Sequence, residues 1–205
     1  MEKNNLFTSK GIIIIAISFL IIAILDVYFL LNQLISQYIT VFAFSVIIFF
    51  ISIIMMFYGI SYMLKGKNEF NTDHKKSVSL GGNLIIFGIL LYLFGKMFIL
   101  PSITENSFLK SIIQTIIGIP FLLGLVFMIK ELADKNIRNL LWTGFFLNVI
   151  LNFFIPWLFY SEYYEDMITN NSIYSITLIF LSIIPALIFV FVYYKTYLKI
   201  GKKSY

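Results

Sequence analysis

Two ionisable side chains stand inside apolar text, and a pair of amides recurs at helical spacing further along. Asp26 follows Gly11 by fifteen residues, and Lys96 follows Gly81 by fifteen. An ionised group in hydrocarbon costs about 2.5–3.5 kcal/mol at a helix centre, so each needs relief. Three arrangements supply it. The two can form a structural ion pair, snorkel separately to the surface, or line an outward-facing site for a substrate or proton. Gly144, Asn148, Asn152 and Pro156 repeat at i, i+4, i+8 and i+12, which marks one stripe of a helix. Neither amide can face lipid cheaply. They either hydrogen-bond within the bundle or line a polar cavity with Gln114 and Asp26. The ligand or ion pathway expected from these residue types is therefore Asp26, Lys96, Gln114, Asn148 and Asn152.

Most other chemistry lacks its parts. The chain has no cysteine, which excludes disulfides, thiolate metal sites and cysteine nucleophiles. His74 is the sole histidine and reads as part of a charged cytoplasmic loop, so a bis-histidine haem or a histidine cluster cannot be built within one chain. Acid–base catalysis needs two positioned titratable groups, and Asp26 is the one carboxylate inside a span. There is no phosphate-cradling glycine loop and no metalloprotease motif. A non-enzymatic protein without metal or cofactor is expected. The Ser161–Ser172 loop holds Glu162, Glu165 and Asp166 close together; an oxygen-ligated cation is conceivable there, but an acidic outer loop is the simpler expectation.

The elements that must hold these residues are long apolar runs. They cover 11–31, 39–64, 79–98, 108–129, 138–159 and 173–194. Each is near the ~20 residues a helix needs to cross hydrocarbon. Mean hydropathy is +0.94 and sixty per cent of residues are apolar, more than a water-soluble domain of 205 residues could hide. Met1–Lys10 followed by Gly11–Leu25 resembles a secretory signal, but no small-residue cleavage site follows, so it reads as a retained first span. All but Lys96 and Lys110 of the fifteen basic residues fall on one side of the six runs. By the positive-inside bias both termini are expected in the cytoplasm of a cell-membrane protein. Basic residues in short juxtamembrane loops point to anionic lipid headgroups, not nucleic acid. Tyr193, Tyr194, Lys195, Tyr197, Lys199, Lys202 and Lys203 are expected to form an interfacial anchor of the same kind.

Gly81, Gly88 and Gly95 recur every seven residues and predict a seam where another helix packs closely, with Gly144 in a similar role on the fifth run. Pro120 and Pro185 each remove a backbone donor and predict kinks. Segments 51–65, 116–130 and 181–195 align at a constant offset of 65 residues, with Lys65, Lys130 and Lys195 in register. Gly59 matches Gly124, Met63 matches Met128, and Pro120 matches Pro185. Either the chain is three repeated helical hairpins, or Ile- and Phe-rich text matches itself by chance.

Gly59-Ile-Ser-Tyr-Met-Leu-Lys65 and Gly124-Leu-Val-Phe-Met-Ile-Lys130, with the helices that follow, resemble small archaeal and bacterial multi-pass membrane proteins of the domain-of-unknown-function type. That resemblance implies a membrane fold and no particular activity. The six-span size is also similar to membrane-embedded substrate-capture subunits of vitamin transporters, which implies a coupling protein and ATPases as partners. The first run, Ile-Ile-Ile-Ile-Ala-Ile-Ser-Phe-Leu, departs from that pattern by lacking a ladder of small residues for close docking.

The expectation is an all-α, six-span transmembrane helical bundle over residues 1–205, a single integral membrane domain. Two functions fit it. One is a structural or partner-binding component of the membrane. The other is a small transporter, or the substrate-binding subunit of one, with an outward-facing polar site. A bundle whose polar groups satisfy one another favours the first, and a pocket lined by the five polar residues favours the second.

Overall fold

A computed structural model of the chain describes residues 6–35, 40–103, 107–159 and 172–202. Pro156 falls among side chains that are not described, as does that of Asp26. Glu105, Glu162, Glu165, Asp166 and Lys203 lie outside the described residues. The described chain is helical with no strand: α1 is Phe7–Ile35, α2 Thr40–Lys65, α3 Thr72–Phe94, α4 Ser107–Ile129, α5 Lys135–Phe159 and α6 Ser172–Lys202. A 3-10 turn, Gly66–Asn68, follows α2. A π-helical turn, Gly95–Ile99, carries α3 on to Leu100–Ser102. Runs of Ile, Leu, Phe and Met become helices here because a helix satisfies every backbone donor and acceptor within its own segment, which hydrocarbon demands.

Five helices are long and apolar enough to cross a membrane, through Phe7–Leu25, Ser45–Asn68, Thr72–Ser102, Ile112–Ile129 and Ile183–Ile200. The described part of α5 is not among them; it carries Arg138, Asn139, Asn148 and Asn152. Only 17% of the most apolar stretch of Thr72–Ser102 is buried. Ile86, Leu90, Met97 and Phe98 point outward, a face that water would not tolerate and lipid would.

The tightest packing joins α1 to α2 and α3 to α4, while α6 lies against both α1 and α5, and α5 against α4. The core is where α6 meets these pairs: Ile12, Ile15 and Phe19 from α1, Met63 from α2, Leu125 and Met128 from α4, Leu141 from α5, Phe189 and Tyr193 from α6. Phe19 stacks on Phe189 with ring centroids 5.0 Å apart and tilts against Tyr193 at 5.9 Å. Aromatic pairs of this kind are worth about 0.5–1.5 kcal/mol beyond their buried area.

Glycine sets the two tightest crossings. A Cβ on Gly11 would lie 2.6 Å from the Gly59 carbonyl oxygen and 2.5 Å from Met63 Cγ. A Cβ on Gly81 would lie 2.6 Å from the Gly124 carbonyl oxygen and 3.0 Å from Met128 Cγ. In return, Ile15 Cγ1 sits 2.7 Å from a Cβ built on Gly59, and Ile85 Cγ1 sits 2.6 Å from one built on Gly124. Gly88 and Gly95 continue the α3 face against Phe121 and Ile117 of α4. Backbone approaches this close admit no side chain, and they maximise dispersion contact where no hydrophobic drive joins helices.

The turns are fastened by charged and polar groups. Glu69, beyond the end of α2, accepts hydrogen bonds from the Phe7 and Thr8 amides at 2.7 and 2.9 Å. These are unsatisfied donors of the first turn of α1, and a carboxylate suits the positive end of that helix. The Thr8 hydroxyl donates to the Gly66 carbonyl at 3.0 Å. Asn71 caps α3 by accepting from the His74 amide at 2.9 Å. Lys199 of α6 donates to the Leu132 carbonyl at 3.0 Å and pairs with Asp134, tying α6 to the α4–α5 turn.

His74 differs from the sequence expectation of a charged loop. The Asn71 cap starts α3 at Thr72, so His74 lies in its first turn and is wholly buried. Asp73, Lys75 and Lys76 stay exposed around it.

Candidate functional site

Three of the five polar residues singled out by sequence come together. Gln114 of α4 and Asn148 and Asn152 of α5 line one pocket of about 390 Å³, with Tyr92 of α3 and Thr115 and Gly118 of α4. The i, i+4 spacing of the asparagines stacks them on one side of α5. The Asn152 Nδ2 amide donates to Asn148 Oδ1 at 2.7 Å. The Thr115 hydroxyl donates across to the Asn152 carbonyl at 3.0 Å, which fixes α4 against α5 at this level.

That arrangement leaves defined hydrogen-bonding capacity. Asn148 Nδ2 and Asn152 Oδ1, and both ends of the Gln114 amide, have no protein partner among the described residues. The pocket therefore offers donors and acceptors without a formal charge. It can orient a polar group, but it has no titratable pair for acid–base chemistry among its lining residues.

The stripe expected on α5 divides. Gly144 faces α6, where an added Cβ would lie 2.7 Å from Ile188 Cγ2, while Asn148 and Asn152 face the pocket beside α4. Four residues advance a helix by about 40° more than one full turn, so a stripe at that spacing drifts around the axis. Small and amide positions thus serve different neighbours.

Lys96 sits in the π-helical turn, exposed, with its ammonium 5.8 Å from the centre of the Tyr92 ring. It does not line the pocket, although Tyr92 beneath it does. Asp26 is on α1, and its side chain lies outside the described residues. Single-turn π-helical segments recur at functional sites, and this one adjoins the pocket wall.

A second cavity lies behind the first. It has a volume of about 420 Å³ and opens between the α1–α2 and α3–α4 pairs, walled by Phe19, Phe49, Met56, Ile89, Phe121 and Leu125 among others. Tyr92, Gly118 and Leu122 line both cavities. A Cβ added to Gly118 would meet nothing within 4 Å, so this glycine borders open space. Tyr92, Thr115 and Gly118 were not singled out from the sequence. Gly118 stands four residues after Gln114, the helical spacing that marks one face, and this was the available signal.

A third cavity, also about 390 Å³, sits beside the α2–α3 and α4–α5 turns, bordered by Leu6, Phe70, Asn71, Glu131 and Lys199. Phe70 lies between it and His74, their rings edge to face at 5.1 Å. Both His74 ring nitrogens are buried without a hydrogen-bond partner among the described residues. No cluster of metal-ligating side chains occurs among the described residues.

No family model, no characterised protein and no solved structure matches this chain.

Proposed function

We propose that this chain is a non-enzymatic, membrane-embedded ligand-binding protein, either a small transporter or the substrate-binding subunit of one. The observation that carries this is the convergence of Gln114, Asn148 and Asn152 on one pocket of about 390 Å³. Its volume falls within the range of about 300–1,000 Å³ typical of small-molecule sites. Amides that served packing alone would be expected to spend their capacity on neighbouring helices, yet the one side-chain hydrogen bond these three make among the described residues lies within α5.

Asn148 lies ten residues beyond Arg138, about 15 Å along α5 at 1.5 Å per residue. The basic residues thus mark one end, and the amides lie deeper, toward the other. We place the basic end and both termini in the cytoplasm of a cell membrane, on the charge bias, with anionic headgroups as the neighbours of Lys65, Lys130 and Lys195. The pocket then belongs to the outer half.

The repeat has support from packing. Gly11, Gly59 and Met63 meet in the same way as Gly81, Gly124 and Met128. At the same 65-residue offset the third hairpin has Phe189 and Tyr193, two large rings that enter the core instead of allowing a close crossing. Two hairpins of one design and a third that has diverged to fill the centre would explain this.

A structural or partner-binding role draws its support from the same crossings, which make a rigid scaffold, and from the Asn148–Asn152 hydrogen bond. Native mass spectrometry from mild detergent separates the two functions. A small-molecule adduct on the wild type that is lost in the Asn148→Leu/Asn152→Leu double variant is expected. A wild type without any adduct, or a double variant that keeps it, overturns the ligand-binding proposal.

A further inference from the structure

The polar pocket borders an apolar cleft. Tyr92, Gly118 and Leu122 form a wall common to it and to the apolar cleft, and at Gly118 no side chain closes the junction. We infer that the ligand is a single-chain amphiphile, with an uncharged hydroxyl- or amide-bearing head at Gln114, Asn148 and Asn152 and its hydrocarbon tail in the cleft between the two glycine-crossed helix pairs. This rests on the ligand-binding function proposed above and names the class of ligand.

The chemistry of the two chambers selects such a molecule. A compact polar solute would use the amides and leave the 420 Å³ cleft to something else. A plain hydrocarbon would fill the cleft and leave the amides of Gln114 and Asn152, both exposed, without a partner wherever lipid covers them, which costs free energy. An amphiphile satisfies both chambers at once.

The head is uncharged for a reason of depth. Gln114 lies seven residues into α4 from Ser107, about 10 Å below the end that carries Lys110 and lies opposite the main basic set. Drawing a phosphodiester to that depth would strip water from a charge, and no cationic side chain is among the described residues that line the pocket, Lys96 and Lys110 lying nearer the helix ends. A hydroxyl or amide head exchanges its water for the free ends of Gln114, Asn148 and Asn152 at little cost.

The test is photolabelling in phosphatidylcholine vesicles. One probe is a monoacylglycerol with a diazirine midway along its chain; the other is an alkane of equal length with the same diazirine. Labelled peptides are mapped by mass spectrometry. Labelling of Met56 and Phe121 by the monoacylglycerol is expected to exceed that by the alkane. It should fall about tenfold in the Asn148→Leu/Asn152→Leu variant, as the loss of about 1.4 kcal/mol of hydrogen bonding from the two amides implies. Gly118→Trp and the milder Gly118→Leu should lower cleft labelling in the same order as their bulk, with monodispersity on size exclusion checking the fold. Equal labelling by both probes, unmoved by the amide variant, would show bulk acyl chains in the cleft and overturn the inference. An adduct lost from the double variant but kept in Gly118→Trp, with the cleft unlabelled, overturns the amphiphile while leaving ligand binding intact. With neither adduct nor labelling, both fail.

Discussion

Tyr193 of α6 crosses the bundle to donate its hydroxyl to the backbone carbonyl of Leu125 on α4, at 2.8 Å. The ring is wholly buried and lies against Phe19, so one side chain joins α1, α4 and α6. Its two contributions can be separated. Tyr193→Phe removes one hydrogen bond and should cost about 1 kcal/mol. Tyr193→Ala removes the ring as well and should cost about 3–5 kcal/mol. Thermal midpoints in one detergent measure both, and equal losses would mean that the hydroxyl, not the ring, holds the centre.

Glycine crossings should be unforgiving and Gly118 permissive. Gly81→Val puts atoms against the Gly124 carbonyl, part of a helix backbone that cannot rotate away. Overpacking of this type costs about 1–3 kcal/mol, with α3 and α4 forced apart. Gly118→Ala meets open space and should leave the thermal midpoint unchanged or raised, since alanine favours helix by about 1 kcal/mol. A larger loss from Gly118→Ala than from Gly81→Val would contradict the packing described.

His74 should be replaceable. An unpaired buried polar group costs about 1–3 kcal/mol, and neither nitrogen of this ring has a partner among the described residues. His74→Leu keeps an apolar side chain beside Phe70 and should raise the thermal midpoint. A fall instead would reveal that the imidazole is hydrogen-bonded in the membrane, most simply by water.

The amides should matter little for stability. Asn148 and Asn152 bond each other within one helix, so Asn148→Leu/Asn152→Leu breaks no interhelical side-chain pair among the described residues. Polar contacts in membrane bundles average about 0.6 kcal/mol, and the double variant should melt within a few degrees of the wild type. Unfolding of this variant would assign the amides to architecture.

The chain has no cysteine, so one introduced at a time reports its own side of the membrane. In intact cells, an impermeant maleimide should react with Glu162→Cys, and with Lys67→Cys only after permeabilisation. The reverse pattern would invert the orientation proposed above.

Much of the helical layout was legible because lipid thickness dictates how long an apolar run must be, whatever its neighbours. Gly81, Gly88 and Gly95 were legible for a similar reason: seven residues is nearly two helical turns, so they share a face, and that face meets α4. Gln114, Asn148 and Asn152 stood out because amides avoid hydrocarbon. What sequence spacing could not supply was adjacency. Tyr92 borders the pocket only because α3 packs on α4 and α4 on α5, relationships fixed by shape between distant segments. His74 was hidden by its company: Asp73, Lys75 and Lys76 made the stretch look like a solvated loop. Yet His74, Ser77, Val78 and Gly81 keep helical spacing, and all four are buried.

The carboxylate that closes the start of α1 belongs to Glu69, which lies 62 residues after Phe7 along the chain. The group that satisfies these two amides is therefore made only after the helix it closes and the whole of α2. It reaches them because α2 folds back along α1 and brings both ends together. A chain cut before Glu69 would leave the Phe7 and Thr8 amides without that acceptor.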